Sequence, residues 1–168
     1  MNDRPIAFVL GSDSDLPVLE GAFEALSGMG IGFSVRILSA HRTPDEAAQF
    51  ARGAAQSGVR VLIGVAGMAA HLAGALAAHS LLPVLGVPVD AGPLGGEDAL
   101  VSTAMMPAGI PVAAMGIGKA AAKNAALFAV RILALSDPGI AEKLRRNRDE
   151  ERRKTLAKDE AIRERFGC

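Results

Sequence analysis

Between Arg60 and Asp90 the chain carries no Asp, Glu, Lys or Arg. A run of that length suits only two surroundings, a bilayer or a protein interior closed on both sides. Glycines recur through it, and His71, His79, Pro83 and Pro88 interrupt it. It therefore breaks into strand, helix and strand, each too short to span a bilayer. Strands that read as continuous apolar runs, without polar alternation, belong to parallel sheets covered by helices on both faces.

The rest of the chain repeats that rhythm. An apolar strand over 6–10 leads into Gly11-Ser12-Asp13-Ser14-Asp15, and Leu16, Leu19, Phe23 and Leu26 then carry helical spacing up to Gly28-Met29-Gly30. An alternating strand over 33–38 is followed by Ser39-Ala40-His41-Arg42-Thr43-Pro44 and a helix over 44–56 closed by Gly58. Further strands are predicted over 59–65, 83–87 and 112–115. Helices are predicted from His71 to about 78, over 97–105 and over 120–135. Strands alternating with helices at this spacing mean βαβ units with right-handed crossovers. The expected architecture is a flavodoxin-like α/β fold, a three-layer αβα domain with a five-stranded parallel sheet. Ligands in such folds bind beyond the carboxyl ends of the strands, and every polar cluster quoted above lies at one.

Half of the residues are apolar, yet Trp and Tyr are absent and Phe occurs only six times. A core of small side chains buries little area per residue and depends on close backbone approach. Apolar surface left over suits partner subunits, so an oligomer is expected. Eighteen basic residues balance eighteen acidic ones, which argues against a nucleic-acid or anionic-membrane binder. The one cysteine, Cys168, excludes a disulfide framework and a cysteine metal site. The first residues run straight into a strand, so no signal peptide is expected. The protein is expected to be soluble and cytoplasmic.

From Asp137 onward the composition changes: this stretch holds ten Lys or Arg and eight Asp or Glu. Mixed charge at helical spacing reads as a solvated helical face, and the alternative is an arm packed on a neighbouring subunit. We divide the chain into a domain over 1–136 and a C-terminal helical extension over 137–168.

The turn from Ser39 to Pro44 places an imidazole, a guanidinium and two hydroxyls before a helix start, where free N–H groups favour anions. His41 can exchange a proton near neutral pH, Arg42 suits bidentate phosphate binding, and Pro44 holds Thr43 out of helical geometry. In Gly11–Asp15, Ser12 and nearby amides could hold a phosphate and Asp15 could accept from ribose hydroxyls. Equally, Ser14 or Asp15 could simply cap the helix. His71 stands at a helix start, where the dipole favours a neutral ring; capping and site roles are both open. His79 reads as structural, and three histidines at unrelated spacings make a poor metal site. Gly116-Ile117-Gly118-Lys119 fails as a Walker loop because Ala113 and Ala120 stand where Gly and Ser/Thr are required. Val65-Ala66-Gly67 lacks the acid a receiver domain would need there.

Together, Gly11-Ser12-Asp13-Ser14-Asp15, Ser39-Ala40-His41-Arg42-Thr43-Pro44, Ala66-Gly67-Met68-Ala69-Ala70-His71-Leu72 and Leu82-Pro83-Val84-Leu85-Gly86-Val87-Pro88-Val89 closely resemble the bacterial class I N5-carboxyaminoimidazole ribonucleotide mutases of purine biosynthesis. The likeness runs in order over about 5–135, with Met106-Pro107-Ala108-Gly109-Ile110-Pro111-Val112 adding to it. The resemblance implies a homo-octamer that needs no metal or organic cofactor and takes a small-molecule ribonucleotide. It implies that Ser12, Asp15 and Arg42 bind the ribonucleotide, that His41 carries the proton, and that Ser39, Gly67 and His71 line the base and carboxylate pocket. A lid must then retain CO2, and the loop over 88–96 is the candidate. The chain departs from the family's usual residues at Met68, Ala73, Gly95 and Met105. The nearest rival is the class II enzyme, which carboxylates the unsubstituted ribonucleotide with CO2 and typically has Ser-Asn where Ala70-His71 stand. A non-catalytic nucleotide-binding regulator on the same fold is the rival of another class.

Overall fold

A computed structural model describes residues 4–167; Met1 to Asp3 and Cys168 lie outside the described residues. Five parallel strands form the sheet: β1 (Ile6–Leu10), β2 (Phe33–Ile37), β3 (Val61–Gly67), β4 (Val84–Val89) and β5 (Ala113–Ala114). Their order is β2-β1-β3-β4-β5, the flavodoxin-like order, with its reversal between β1 and β3. The helices are α1 (Glu20–Gly28), α2 (Pro44–Gly53), α3 (Leu72–His79), α4 (Glu97–Ala104), α5 (Gly118–Ala134) and α6 (Pro138–Phe166). Among the described residues no helix is long and apolar enough to cross a membrane.

The chain divides between Ala129 and Val130 into two compact units. The division falls inside α5, earlier than 137, where the charge pattern changes.

In the first unit the pleat of β1 sorts its side chains. Ala7 and Val9 join Ala47, Ala51 and Ala54 of the α2 segment and Leu72, Ala73 and Leu76 of α3 in one core cluster. Phe8, fully buried, points the other way and meets the edges of Phe23 and Phe33, with ring centroids 5.2 and 5.8 Å away. Such aromatic contacts add about 0.5–1.5 kcal/mol beyond area burial.

Gly64 and Gly86 are register partners on β3 and β4. A Cβ on Gly64 would lie 2.9 Å from the Cα of Ala73, and one on Gly86 would lie 2.2 Å from Cγ2 of Thr103. The bare backbone there lets α3 and α4 seat close to the sheet, as a core of small residues requires.

Several boundaries differ from expectation. Pro17, which has no N–H to donate, sits in a 3-10 helix over Asp13–Val18, so α1 begins only at Glu20. β3 starts at Val61, because the amide of Val59 is turned back onto the carbonyl of Ala54. Both β3 and β4 run two residues further than their apolar runs suggested, and Pro88 keeps its place in the ladder opposite Ala66. β5 shrinks to two residues, bounded by Pro111 and by Gly116 at φ 86°.

The second unit contains α6, a helix of 29 residues with none buried. Oδ1 of Asp137 accepts from the amides of Gly139 and Ile140 at 2.8 and 3.1 Å, and Gly167 closes the other end in left-handed geometry. Glu142 pairs with Arg145 and Arg146, and Lys154 with Glu150 and Glu151, all three or four residues apart. The helical form expected from the charge spacing is present over Pro138–Phe166.

Candidate active site

Register decides which loops meet. Leu10, Ile37 and Val65 are level across the three strands, so the chain leaves β1, β2 and β3 side by side. The amide of Gly11 donates to the carbonyl of Val65 at 3.0 Å, which ties the end of β1 to that of β3. The three loops enclose a cleft of about 500 Å³. Ser12, Asp15, Ser39, His41, Arg42, Gly67 and His71, the seven residues singled out from sequence, all line it.

In the first loop Ser12, not Ser14 or Asp15, is the N-cap. Its Oγ accepts from the amide of Ser14 at 3.3 Å, while Oδ2 of Asp15 accepts from the amide of Ser12 at 3.1 Å. This is a reciprocal capping box. Capping and cleft-lining, alternatives on sequence grounds, coexist in the same two residues. Burial pushes the Asp15 carboxyl above its ordinary value; the bond from the Ser12 amide opposes it, the charge of Asp13 adds to it, and Arg42 opposes it.

In the second loop Ser39 is a brace. Its Oγ accepts from the amides of His41 and Arg42 at 3.3 and 3.2 Å. Thr43 Oγ1 accepts from the Ser39 amide at 2.8 Å and donates to its carbonyl at 3.2 Å. Thr43 stands at φ −138°, outside helical geometry, with Pro44 opening α2. This turn fixes the backbone under His41 and Arg42. Arg42 reaches across the sheet and donates from Nη2 to the carbonyl of Gly11 at 2.7 Å.

In the third loop Met68 is the one described non-glycine residue at positive φ, 55°. A Cβ on Gly67 would lie 2.7 Å from Cβ of Ala91, so glycine there admits the loop that follows β4. Pro88 and Val89 belong to β4 itself; the loop proper is 90–96, and its Ala91 forms part of the cleft wall. His71 is the N-cap residue of α3 without a side-chain cap bond. Its Nδ1 lies 2.7 Å from Nε2 of His41, with the rings 4.9 Å apart and 80° to one another.

The residues outside this cleft divide simply. His79 takes a 3.3 Å contact from Arg52 on the neighbouring helix. Lys119 stands 3.9 Å from Glu20 in an exposed pair. Met105 is exposed and does not line the cleft. The other cleft residues not singled out as binding include Ser14, which on sequence grounds reads as a cap, and Ala91, whose only signal is its place in the glycine-rich loop.

A family model described as AIR carboxylase (AIRC) matches residues 5–154. The chain is 45% identical over 164 residues to the N5-carboxyaminoimidazole ribonucleotide mutase of Pyrococcus horikoshii, covering 97% of this chain and 92% of that protein. It is 50% identical over 139 residues to the enzyme of that name from Brucella melitensis (83% and 86% covered) and 46% identical over 143 residues to that of Escherichia coli (85% and 85%). Among solved structures, the crystal structure of Treponema denticola PurE superposes with a TM-score of 0.82 at 27% identity, covering 94% of this chain and 97% of that one.

Proposed function

The chain belongs to the AIR carboxylase family, and from that premise we propose that it is an N5-carboxyaminoimidazole ribonucleotide mutase, an isomerase of purine biosynthesis that moves a carboxylate from N5 to C4 of the aminoimidazole. The observation that carries the site assignment is the presence of the His41 imidazole in one cleft with Ser12, Arg42 and Gly67, each from a different strand end.

The residues divide the work. Ser12 and Arg42, with the amides that open the 3-10 helix, hold the phosphate; Asp15 accepts from the ribose hydroxyls; Ser39, Gly67 and His71 border the base and carboxylate. His41, as imidazolium, gives its proton to N5 as the bond from N5 to the carboxylate carbon breaks and CO2 separates. C4 then attacks CO2, forming the new carbon–carbon bond, and neutral His41 takes the C4 proton. The proton returns to its starting place, so one imidazole serves both halves. Loop 90–96, entering the cleft wall at Ala91, acts as the lid that keeps CO2 near C4. The working form is a homo-octamer in the cytoplasm, supported by the family likeness and by exposed apolar side chains such as Leu81 and Met105.

A paired assay of wild type and His41→Asn, without ATP, tests this. Substitution is expected to remove turnover by about 10²–10⁴-fold while ribonucleotide binding persists. Conversion of the unsubstituted ribonucleotide plus CO2 alone would favour direct carboxylation, and turnover indifferent to His41→Asn would leave a binding protein.

A further inference from the structure

We propose that His71 is a positioning residue for His41, holding the Nε2 atom of that ring through one shared N–H and so fixing where the working proton points. The inference rests on the carboxylate-transfer reading above and adds to it a second imidazole.

The two nitrogens are 2.7 Å apart, a separation that leaves room for one hydrogen between them and makes one ring the donor and the other the acceptor. The contact thus sets the tautomers of both rings together. The positive end of α3 lies at His71, and that partial positive charge favours the lone pair of Nδ1, the acceptor side, facing His41. His41 Nε2 then donates, and Nε2–H is the bond that can deliver a proton. Asp15 and Arg42 are the charged side chains lining the same cleft; the first adds negative charge, and the second is directed at the Gly11 carbonyl.

Both rings stand on backbone that has little freedom. His41 rides on the Ser39 brace, and the His71 amide donates to the Ala69 carbonyl at 2.8 Å while its own carbonyl accepts from Ala75 in the first turn of α3. The imidazole contact therefore joins two stiff mounts, from β2 and from β3, at the atom on which the chemistry turns. When the substrate nitrogen competes for Nε2–H, it meets a proton already aimed by His71. His71 gains and loses nothing in the net reaction.

The test compares wild type, His71→Ala and His71→Asn. Carboxylate transfer and binding of aminoimidazole ribonucleotide are measured in parallel, and ring-¹⁵N NMR is recorded on the histidines. In His71→Ala, kcat is expected to fall about ten- to a hundredfold while KM and binding change by less than about threefold. His71→Asn, whose Oδ1 can accept near the place of Nδ1, is expected to recover most of that loss. The wild-type spectrum is expected to show His41 Nε2 as a hydrogen-bonded N–H, a signature lost in His71→Ala. A wild-type kcat in His71→Ala, a loss confined to KM, or no rescue by Asn would each overturn the inference and leave His71 as pocket wall. Absence of carboxylate transfer in the wild type itself is a different failure, and it overturns the functional reading together with what rests on it.

Discussion

The sheet unit and helix α6 are both regular structure, yet they are specified by opposite means. Every residue of β1 is buried, whereas α6 has no buried residue over its whole length. In the sheet, removal of apolar area from water decides which way each side chain points. In α6, backbone bonds, two caps and ion pairs along one helix make the segment regular without a buried residue. Helical hydrogen bonding is local and indifferent to surroundings; only a buried stripe selects a partner.

The sharpest way to break this comparison is a matched pair of truncations. Phe8→Ala is expected to lower stability by about 3–5 kcal/mol, while Leu156→Ala changes it by less than about 0.5 kcal/mol; urea unfolding reads both. A comparable loss at Leu156 would mean that the arm is buried in the assembled protein. Next in size is Gly86→Ala, whose added methyl meets Cγ2 of Thr103 and should cost about 1–3 kcal/mol. Adding Thr103→Ser removes that methyl and should recover part of the loss, which a backbone effect of alanine in the strand would not do.

Glycine itself should change sign between the regions. Met68→Gly relieves a left-handed backbone and is expected to stabilise by about 0.5–1 kcal/mol. Ala157→Gly in the middle of α6 should instead lower helix content, at about 1 kcal/mol, as followed by circular dichroism.

The smallest contrast lies in two carboxylates. Asp15 is shifted upward by burial, so the folded chain binds its proton more tightly than the unfolded one. Its charged form opposes folding, and stability is lost as pH rises above the ordinary value of 3.8. Asp15→Asn should therefore gain on wild type as pH climbs toward neutrality and match it in strong acid. Glu142 is shifted downward by its bonds from Arg145 and Arg146, so its contribution is present at neutral pH and fades in acid. Glu142→Gln should reduce helicity at neutral pH, with the difference closing in acid and in high salt.

What could be read in advance follows the same divide. The run without charges between Arg60 and Asp90 announces β3 and β4 because double burial leaves no polar face; Ser12, Asp15, His41 and Arg42 are visible because polar clusters at strand ends are what a parallel sheet uses for binding, whereas Ser39, Gly67 and His71 enter the pocket through the family resemblance. Val112 to Met115 looks like a strand locally, while Pro111 and Gly116 confine the pairing of β5 to two residues. The division of labour inside the 3-10 helix hung on Pro17, whose effect depends on where the first turn begins. Nor could local spacing show that Arg42 reaches the Gly11 carbonyl, or that His41 meets His71. Those contacts follow from strand order and register, which bring together residues about thirty positions apart.

The bond from Arg42 to Gly11 also has a bearing on how the protein comes into being. It joins the ends of two neighbouring strands, so the binding surface does not exist until those strands are level. A nascent or misregistered chain lacks the assembled cleft. On the proposed reading, a nucleotide bound in this cleft would selectively stabilise correctly assembled sheets by mass action.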